Sequence, residues 1–594
     1  MDGPEARLDA QIGRFVQDNP AAAAQRLRAV LADNPRDAAA WRLLGRALRL
    51  LGDPGAADAE LGAIRASVFD PPVIAIAQAL LDADLPRAEA LLRRRLHEQP
   101  LDVASIRLMA ELAARIGRYQ DAEALLRRAL ELAPGFVAAR ANLATVLYKL
   151  NQFAEAAAEL DRVLESGEAN PSSRNLLAVA AGRIGDYDKA LQLYEDLLAA
   201  FPDHAKLWMS YGHNLKTVGR LDESITAYRR ALSGKPDLGE AWWSLANLKT
   251  VKFGADDVTA MEAALAGEPA PEHDDRLHLH FALGKAYGDA GQADASFRHF
   301  AAGNQLRKDE HGFDPGAITE QVDSVIATLT PAFLSQRADW GDPAPDPIFI
   351  IGLPRAGSTL IEQILSCHSQ IEGTMELPDM PFMAGRETQA LGLQGRDWPA
   401  AVAQMDAGKL AALGAEFLER TQVQRKTGKP FYIDKLPNNW SYAGFIHLIL
   451  PNAKVIDARR HPLDCCFSNF RQNFAKGQAF TYDLAHIGRY YADYVRAMAH
   501  YDRVMPGVVH RVIHERLLDD PEAEVRALLA FLGLPFEEGC LDFHRSERAV
   551  RTASSEQVRR PINRDGVGQW HGYEPWLGPL FGVLEDLPQT YASR

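Results

Sequence analysis

Residues 348–359 read IFIIGLPRAGST, and this stretch decides the fold of the second half of the chain. Its first four residues are apolar and mostly β-branched, which is typical of a buried strand in a parallel sheet. Gly352 and Gly357 then enclose a short loop, and Thr359–Ser366 is predicted to be a helix. A strand, a glycine-containing loop and a helix in this order direct backbone N–H groups and the positive helix end at an anion. The stretch therefore predicts a phosphate-binding loop in an α/β domain.

The alternation of strands and helices continues after this loop. Residues 431–434, 454–458 and 508–514 each predict a further strand. A helix is predicted at 442–450, and another after Pro462. We therefore expect a central, mostly parallel sheet covered by helices on both faces.

The first half of the chain repeats itself with a period of 34 residues, marked by prolines, small residues and turn residues. A small residue in each of two helices lets their backbones approach, the turn residue allows a positive φ, and the proline closes the second helix. The prolines are Pro100, Pro134, Pro202 and Pro236; the small residues are Ala110, Ala144, Ala178, Gly212 and Ala246 in one series and Ala88, Ala122, Ala156, Ala190 and Ser224 in the other; the turn residues are Gly117, Asn151, Gly185 and Gly219.

With Trp41 four residues before Gly45, and the same spacing at Trp208 and Trp242, this pattern resembles the tetratricopeptide repeat over about residues 5–310. The resemblance implies a helical solenoid whose concave face binds a protein or peptide. The alternative is a scaffold or homodimer surface without a peptide ligand. We expect a solenoid at 1–310, a helical linker at 311–345 and the α/β domain at 346–594.

The composition excludes some classes of function. The 594 residues carry a formal net charge of −14, which argues against a general nucleic-acid binder. A run of about 18 apolar residues is absent, so no membrane span is predicted. The N-terminus lacks the pattern of a signal peptide, and the four cysteines (Cys367, Cys465, Cys466 and Cys540) are too few for a disulfide framework. A cytoplasmic protein is the expectation.

The loop differs from the phosphate loop of nucleotide hydrolases. That motif needs a lysine before its Ser or Thr, and here Arg355 supplies the loop's cation. An acidic Mg²⁺ ligand is not evident either, so ATP hydrolysis is disfavoured and no metal is expected. Residues 354–360 resemble the 5′-phosphosulfate loop of sulfotransferases that use 3′-phosphoadenosine 5′-phosphosulfate. The resemblance implies a P-loop-like domain in which Arg355, Ala356, Gly357, Ser358 and Thr359 bind this donor.

Two further segments resemble donor-binding motifs of the same family. Residues 454–464, KVIDARRHPLD, are similar to the motif that holds the 3′-phosphate through an Arg and a Ser eight positions later; Arg460 and Ser468 have this spacing. Residues 554–561, SSEQVRRP, followed by Trp570, resemble a donor-covering loop with Arg560 as its basic residue. Glu515 and residues 531–535 also match the family, and we expect structural roles for them.

The resemblance to this family covers about residues 345–590, and finer details resemble its tyrosylprotein branch. Glu376 lies 21 residues after Arg355, the separation of that branch's general base. Lys435, after Asp434, has the position of the lysine that contacts the leaving group in that branch. The leaving group there is adenosine 3′,5′-bisphosphate, the product of the donor. The resemblance implies that Glu376, Lys435 and Arg355 are catalytic and that the acceptor is a protein or peptide tyrosine.

Other functions stay open at this point. That branch works in the secretory pathway and lacks a repeat array, whereas this chain shows a repeat array and no targeting segment. The alternatives are a carbohydrate or small-molecule sulfotransferase whose repeats serve assembly, and an inactive repeat adaptor; a phosphotransferase is the weakest. Small-molecule enzymes often use a histidine base, but His368, His447 and His461 do not stand in a position that supports this role.

Overall fold

The computed structural model describes residues 14–248, 250–310, 312–474, 477–546 and 557–593. Contacts between residues divide the chain into two compact units, Met1–Ala200 and Phe201–Arg594. The division falls within the helical repeats, so the second unit contains the last repeats together with the α/β domain. The predicted boundaries at 310 and 345 stay predictions.

The first unit consists of paired antiparallel helices, as the 34-residue period predicts. Its turn residues adopt the left-handed conformation, with φ of +79° at Gly117, +61° at Asn151 and +80° at Gly185. Ala88, Ala110, Ala122, Ala144, Ala156, Ala178 and Ala190 are all fully buried, as expected where two helix backbones approach. The helices are Pro20–Asp33, Ala38–Leu50, Ala56–Ser67, Pro71–Leu81, Leu85–Glu98, Val103–Arg115, Tyr119–Leu132, Val137–Lys149, Phe153–Glu165, Pro171–Arg183 and Tyr187–Ala200.

The second unit begins with the remaining repeat helices. Trp208 and Trp242 each donate a hydrogen bond from Nε1 to the carbonyl of the proline six residues earlier, at 2.7 and 2.9 Å, which fixes the turn that precedes each helix. A helix follows in the stretch 253–271, where the period is lost. The helices are Ala205–Val218, Leu221–Gly234, Gly239–Asn247, Ala255–Leu265, His273–Asp289 and Ala293–Glu310, followed by Pro315–Thr328 and Pro331–Ser335.

The α/β domain contains a five-stranded sheet, β1 (Pro347–Gly352), β2 (Ile371–Gly373), β3 (Phe431–Lys435), β4 (Lys454–Arg459) and β5 (Val509–Ile513). The order is β2-β3-β1-β4-β5 and all pairs are parallel. The four strands predicted from the sequence are confirmed. Strand β2 was not predicted, because three residues are too few to show a periodic pattern.

Helices cover both faces of this sheet. In β1 the side chains of Ile348 and Ile350 enter one core, and those of Phe349 and Ile351 enter the other. The helices are Ser358–Ser366, Asp379–Ala390, Trp398–Val402, Ala407–Thr421, Ala443–Ile449, Pro462–Phe470, Leu484–Val504, His514–Asp519, Pro521–Leu532, Gly578–Leu584 and Leu587–Thr590. The predicted α/β class is therefore confirmed.

Within the second unit, one of these cores extends from the sheet into the repeat helices. It includes Trp243 and Phe281 of the repeats as well as Phe349 and Val455 of the strands. Polar contacts reinforce this packing, since Asn304 donates to the carbonyl of Phe470 at 2.8 Å. The last repeats and the α/β domain are consequently packed as one body.

In the described ranges, no single helix is long and apolar enough to span a membrane, although the pair Ala56–Ser67 and Pro71–Leu81, bent by 65°, passes that test jointly. The same ranges contain no disulfide, and Cys465, Cys466 and Cys540 are buried.

Candidate active site

The phosphate-binding loop lies at the carboxyl end of β1, where strand order reverses between β1 and β4. Open parallel sheets bind ligands at this point. Arg355 has a φ of +67°, Gly352 of +136° and Gly357 of +101°. A Cβ on Gly352 would lie 2.3 Å from the carbonyl oxygen of Ala458, so β4 permits only glycine there. The helix Ser358–Ser366 starts directly after this loop, as predicted.

Three of the predicted donor-binding side chains meet beside the loop. Arg355 donates from Nε to Ser468 Oγ at 3.2 Å, and Arg460 donates from Nη1 to the carbonyl of Arg355 at 3.0 Å. Ser468 lies on the helix Pro462–Phe470 and Arg460 just before it. Burial, with the nearby charges of Arg460 and Arg471, lowers the pKa of Arg355 to about 10. The cluster thus holds cations that an anionic ligand would stabilise.

Lys435 and Glu376 form a second group. The Nζ of Lys435 lies 2.5 Å from Glu376 Oε1 and 3.9 Å from Glu362, which is on the helix that follows the loop. Lys435 is buried, while the Glu376 side chain is 44 % exposed. Lys435 pairs in register with Ile350 of β1, so both groups lie at the carboxyl edge of the sheet. Burial raises the pKa of the neighbouring Asp434 well above its ordinary value.

The predicted donor-covering loop is described from Gln557 onward; Ser554, Ser555 and Glu556 lie outside the described residues. Gln557 accepts a hydrogen bond from Arg355 Nη2 at 3.0 Å, and Arg560 lies 3.3 Å from Asp565. Between them, Arg559 donates to the carbonyl of Thr217 at 3.2 Å, on a repeat helix. The repeat helices therefore hold this loop.

The arginine cluster beside the loop and the donor-covering loop border a cleft of about 440 Å³. Arg355, Arg460, Ser468 and Arg560 contribute to its wall, which brings together four residues predicted from distant parts of the sequence. An adjoining cavity of about 90 Å³ is lined by Gly357 and Thr359 of the loop. Glu376 and Lys435 line neither of these two cavities.

Several residues of the cleft were not predicted. Arg471 follows Ser468 by three positions, and this helical spacing could have indicated that both side chains lie on the same face. Arg471 donates a hydrogen bond to Gln569. The repeats contribute a whole wall that includes Trp243, Lys285 and Asp289. This wall depends on how the repeats pack against the sheet, and the local sequence holds no signal for it.

A histidine lies against the loop, but it is none of the three considered from the sequence. The Nδ1 of His514 lies 2.7 Å from where a Cβ on Gly357 would be. Burial, with the charges of Arg460 and Arg355, lowers the pKa of His514 to about 3. His514 is therefore neutral at physiological pH. Glu515 accepts hydrogen bonds from the backbone N–H of His461 and from the hydroxyl of Tyr591, both at 3.0 Å. These bonds connect distant segments of the chain, which is a structural role.

The cleft is lined by cationic side chains that suit an anionic ligand. Within the described ranges, the Nε atoms of Arg460 and Arg471 are buried and lack a hydrogen-bond partner, so donors remain for a ligand. The same part of the chain contains no group of His, Cys, Asp or Glu that could hold a metal ion.

Comparison with known proteins agrees with this geometry. Residues 347–538 match the model of the sulfotransferase family, and residues 14–71, 74–135, 113–180 and 175–238 match models of the tetratricopeptide repeat. An uncharacterized protein of Aquifex aeolicus (strain VF5) is 30 % identical over 404 residues, which are 67 % of this chain and 52 % of that protein. The chain thus spans about half the length of this relative.

A protein-tyrosine sulfotransferase 2 of Gallus gallus is 25 % identical over 278 residues, covering 40 % of this chain and 66 % of that protein. Among solved structures, the sulfotransferase domain of the Synechococcus PCC 7002 olefin synthase matches with 23 % identity and a TM-score of 0.32, covering 43 % of this chain and 96 % of that one. The chain therefore matches tetratricopeptide repeats within residues 14–238 and the sulfotransferase family over residues 347–538.

Proposed function

We propose that this protein transfers a sulfuryl group from 3′-phosphoadenosine 5′-phosphosulfate to the hydroxyl of a protein or peptide tyrosine, which the repeats help to hold. The observation that carries the proposal is the convergence of Arg355, Arg460 and Ser468 at the ends of β1 and β4. The Lys435–Glu376 pair at the end of β3 supports it further. The likeness to the protein-tyrosine sulfotransferase supports tyrosine as the acceptor.

The proposed reaction is an in-line displacement at sulfur. The acceptor oxygen forms a bond to sulfur, the bond from sulfur to the 5′-phosphate oxygen breaks, and adenosine 3′,5′-bisphosphate leaves. Glu376 accepts the proton of the acceptor hydroxyl. Lys435, with Arg355 and the loop N–H groups, stabilises the negative charge that grows on the departing oxygen. Both members of the Lys435–Glu376 pair are needed at the reacting atoms, so we expect this pair to separate when both substrates bind.

Radiolabelled donor and a tyrosine-containing peptide test this proposal with the purified chain. We expect Glu376→Gln and Lys435→Ala each to lower kcat/KM by about 100-fold or more, because each removes a group that acts in the transition state. Glu522→Gln is the matched control, since Glu522 is an exposed glutamate that pairs with Arg526 on a surface helix.

The products distinguish this proposal from its alternatives. If label appears on a sugar or small molecule and none appears on protein, the acceptor is that molecule and not a tyrosine. Binding of adenosine 3′,5′-bisphosphate without transfer to any acceptor in a cell extract would favour an inactive adaptor.

We also propose a cytoplasmic location, supported by the low cysteine content of four in 594 residues. Fractionation of cells that express the full chain tests it; recovery with secreted or membrane fractions would contradict it.

A further inference from the structure

The wall that the repeats contribute to the cleft carries a charged pair. Lys285 and Asp289 lie one turn apart on the helix His273–Asp289, and they form an ion pair. Their side chains are 24 % and 29 % exposed, and both line the 440 Å³ cleft. Burial lowers the pKa of Arg471, and the charge of Asp289 is among the weaker influences that oppose this shift. The pair therefore lines the same cleft as the arginine cluster of the α/β domain.

The cleft has a local positive charge although the chain is acidic. Among the residues that the structure describes, its lining holds five cationic side chains, Lys285, Arg355, Arg460, Arg471 and Arg560, against two carboxylates, Asp289 and Asp565. The excess is three positive charges in a chain of net charge −14. Such a concentration of cations fits a ligand with several negative charges.

Different parts of the site line the two cavities. Lys285 and Ser468 line the larger cavity, and Gly357 and Thr359 of the loop line the smaller one. Arg355 and Arg460 border both cavities. Because Arg460 and Ser468 are the residues assigned to the 3′-phosphate, Lys285 shares a cavity with that end of the donor.

We propose that Lys285 of the repeat array binds the 3′-phosphate of the donor together with Arg460 and Ser468. This inference rests on the proposed function. A partly exposed ion pair within one helix contributes little stability, so Lys285 can exchange Asp289 for a dianionic phosphate at small cost. The four-carbon stem of lysine allows this movement. The repeat array is then part of the donor site as well as a surface for acceptors.

Calorimetric titration of the full chain with two nucleotides tests the inference. One is adenosine 3′,5′-bisphosphate, and the other is adenosine 5′-monophosphate, which lacks the 3′-phosphate. We expect Lys285→Gln to weaken binding of the bisphosphate about tenfold and to leave the monophosphate unchanged, since one charge-assisted contact is lost. Asp289→Asn removes the competing carboxylate and should strengthen bisphosphate binding a few-fold.

Lys235→Gln is the matched control. Lys235 also pairs with an aspartate of the repeats, Asp275, at 3.0 Å, and neither residue is part of the cleft lining among the described residues. This variant should bind both nucleotides as the wild type does.

Each outcome decides one question. If the wild type does not bind the bisphosphate, the proposed function fails. If the wild type binds and Lys285→Gln binds equally well, or loses affinity for both nucleotides alike, the inference is overturned and the proposed function stands. Should Lys285→Gln not fold, Lys285→Arg decides: retained bisphosphate affinity supports a role for the charge, and a tenfold loss contradicts it.

Discussion

The turns of the repeat array and the phosphate-binding loop both use residues with a positive φ, but their surroundings differ. A Cβ on Gly117 or Gly185 would meet no atom within 4 Å. A Cβ on Gly352 would meet the carbonyl of Ala458, and one on Gly357 would meet His514. The repeat turns at Gly117 and Gly185 therefore require only a left-handed backbone, which Asn151 also supplies at φ +61°. At Gly352 and Gly357 the phosphate-binding loop requires the same backbone and also the absence of a side chain.

The largest effect is expected at Gly352. In Gly352→Ala the new Cβ would lie 2.3 Å from the Ala458 oxygen, and a φ of +136° is strained for alanine. Because β4 must move away from β1, we expect the free energy of unfolding to fall by about 4 kcal/mol. Urea denaturation measures it. A loss below about 1 kcal/mol would show that the loop tolerates a side chain as the repeat turns do.

The second effect concerns Gly357 and the histidine against it. Gly357→Ala places a Cβ 2.7 Å from His514 Nδ1, in the loop that would contact the 5′ end of the donor. We expect the Kd of adenosine 3′,5′-bisphosphate to rise about 30-fold, because the loop N–H groups are displaced. The double variant Gly357→Ala/His514→Ala removes the clash and should recover part of this loss. If the double variant recovers no affinity, the contact with His514 is not the reason that position 357 requires glycine.

The third prediction concerns pH. The pKa of His514 is about 3 in the folded protein and about 6.5 in the unfolded chain. Below pH 6.5 the unfolded state gains a proton that the folded state does not, so the free energy of unfolding falls as pH decreases towards about 3. Between pH 7 and pH 5, His514→Asn should lose less stability than the wild type by up to about 2 kcal/mol. Equal losses in urea denaturation would mean that His514 is not held neutral.

A smaller effect is expected where the two regions meet. Arg559 donates to Thr217, and its guanidinium lies against Gly219, so it positions the loop that carries Gln557 and Arg560. Arg559→Ala should raise the KM of the donor about fivefold with little change in kcat, because one hydrogen bond that orders the loop is lost. Arg559→Lys should restore part of it. Arg298→Ala, which removes an exposed ion pair with Asp294, is the control. A fall in kcat alone would contradict the positioning role.

The smallest effect is expected in the repeat turns. Gly117→Ala adds a Cβ that meets nothing, so only the positive φ of +79° costs free energy, about 1 kcal/mol. Gly117→Asn should cost less, since asparagine occupies the equivalent turn at Asn151. Thermal unfolding measures both, and sulfotransfer should remain unchanged. A loss similar to that of Gly352→Ala would remove the distinction between the two regions.

The sequence predicted the features that local chemistry determines. The 34-residue period located Gly117, Asn151 and Gly185 in their turns, and the apolar run before Gly352 located β1. The resemblance of residues 454–464 to a known phosphate-binding motif, with Arg460 and Ser468 at its spacing, also predicted that both would reach one site. These predictions depend on residues near one another in the chain.

The remaining features depend on packing between distant segments. Lys285 reaches the cleft because the helix His273–Asp289 shares a core with the sheet, which no local pattern encodes. The contact of Arg559 with Thr217 joins residues 342 positions apart for the same reason. The 2.5 Å pair of Lys435 and Glu376 likewise follows from the fold, although both residues were predicted individually.

The shared core of the last repeats and the sheet has a consequence for how such proteins can diversify. Repeat arrays grow and shrink in evolution by gain or loss of whole units. Loss of a unit after Phe201 would remove part of the apolar core and one wall of the cleft, so selection should preserve those units. Units before Ala200 belong to a separate compact body, so their number can change without altering the core that the last repeats share with the sheet.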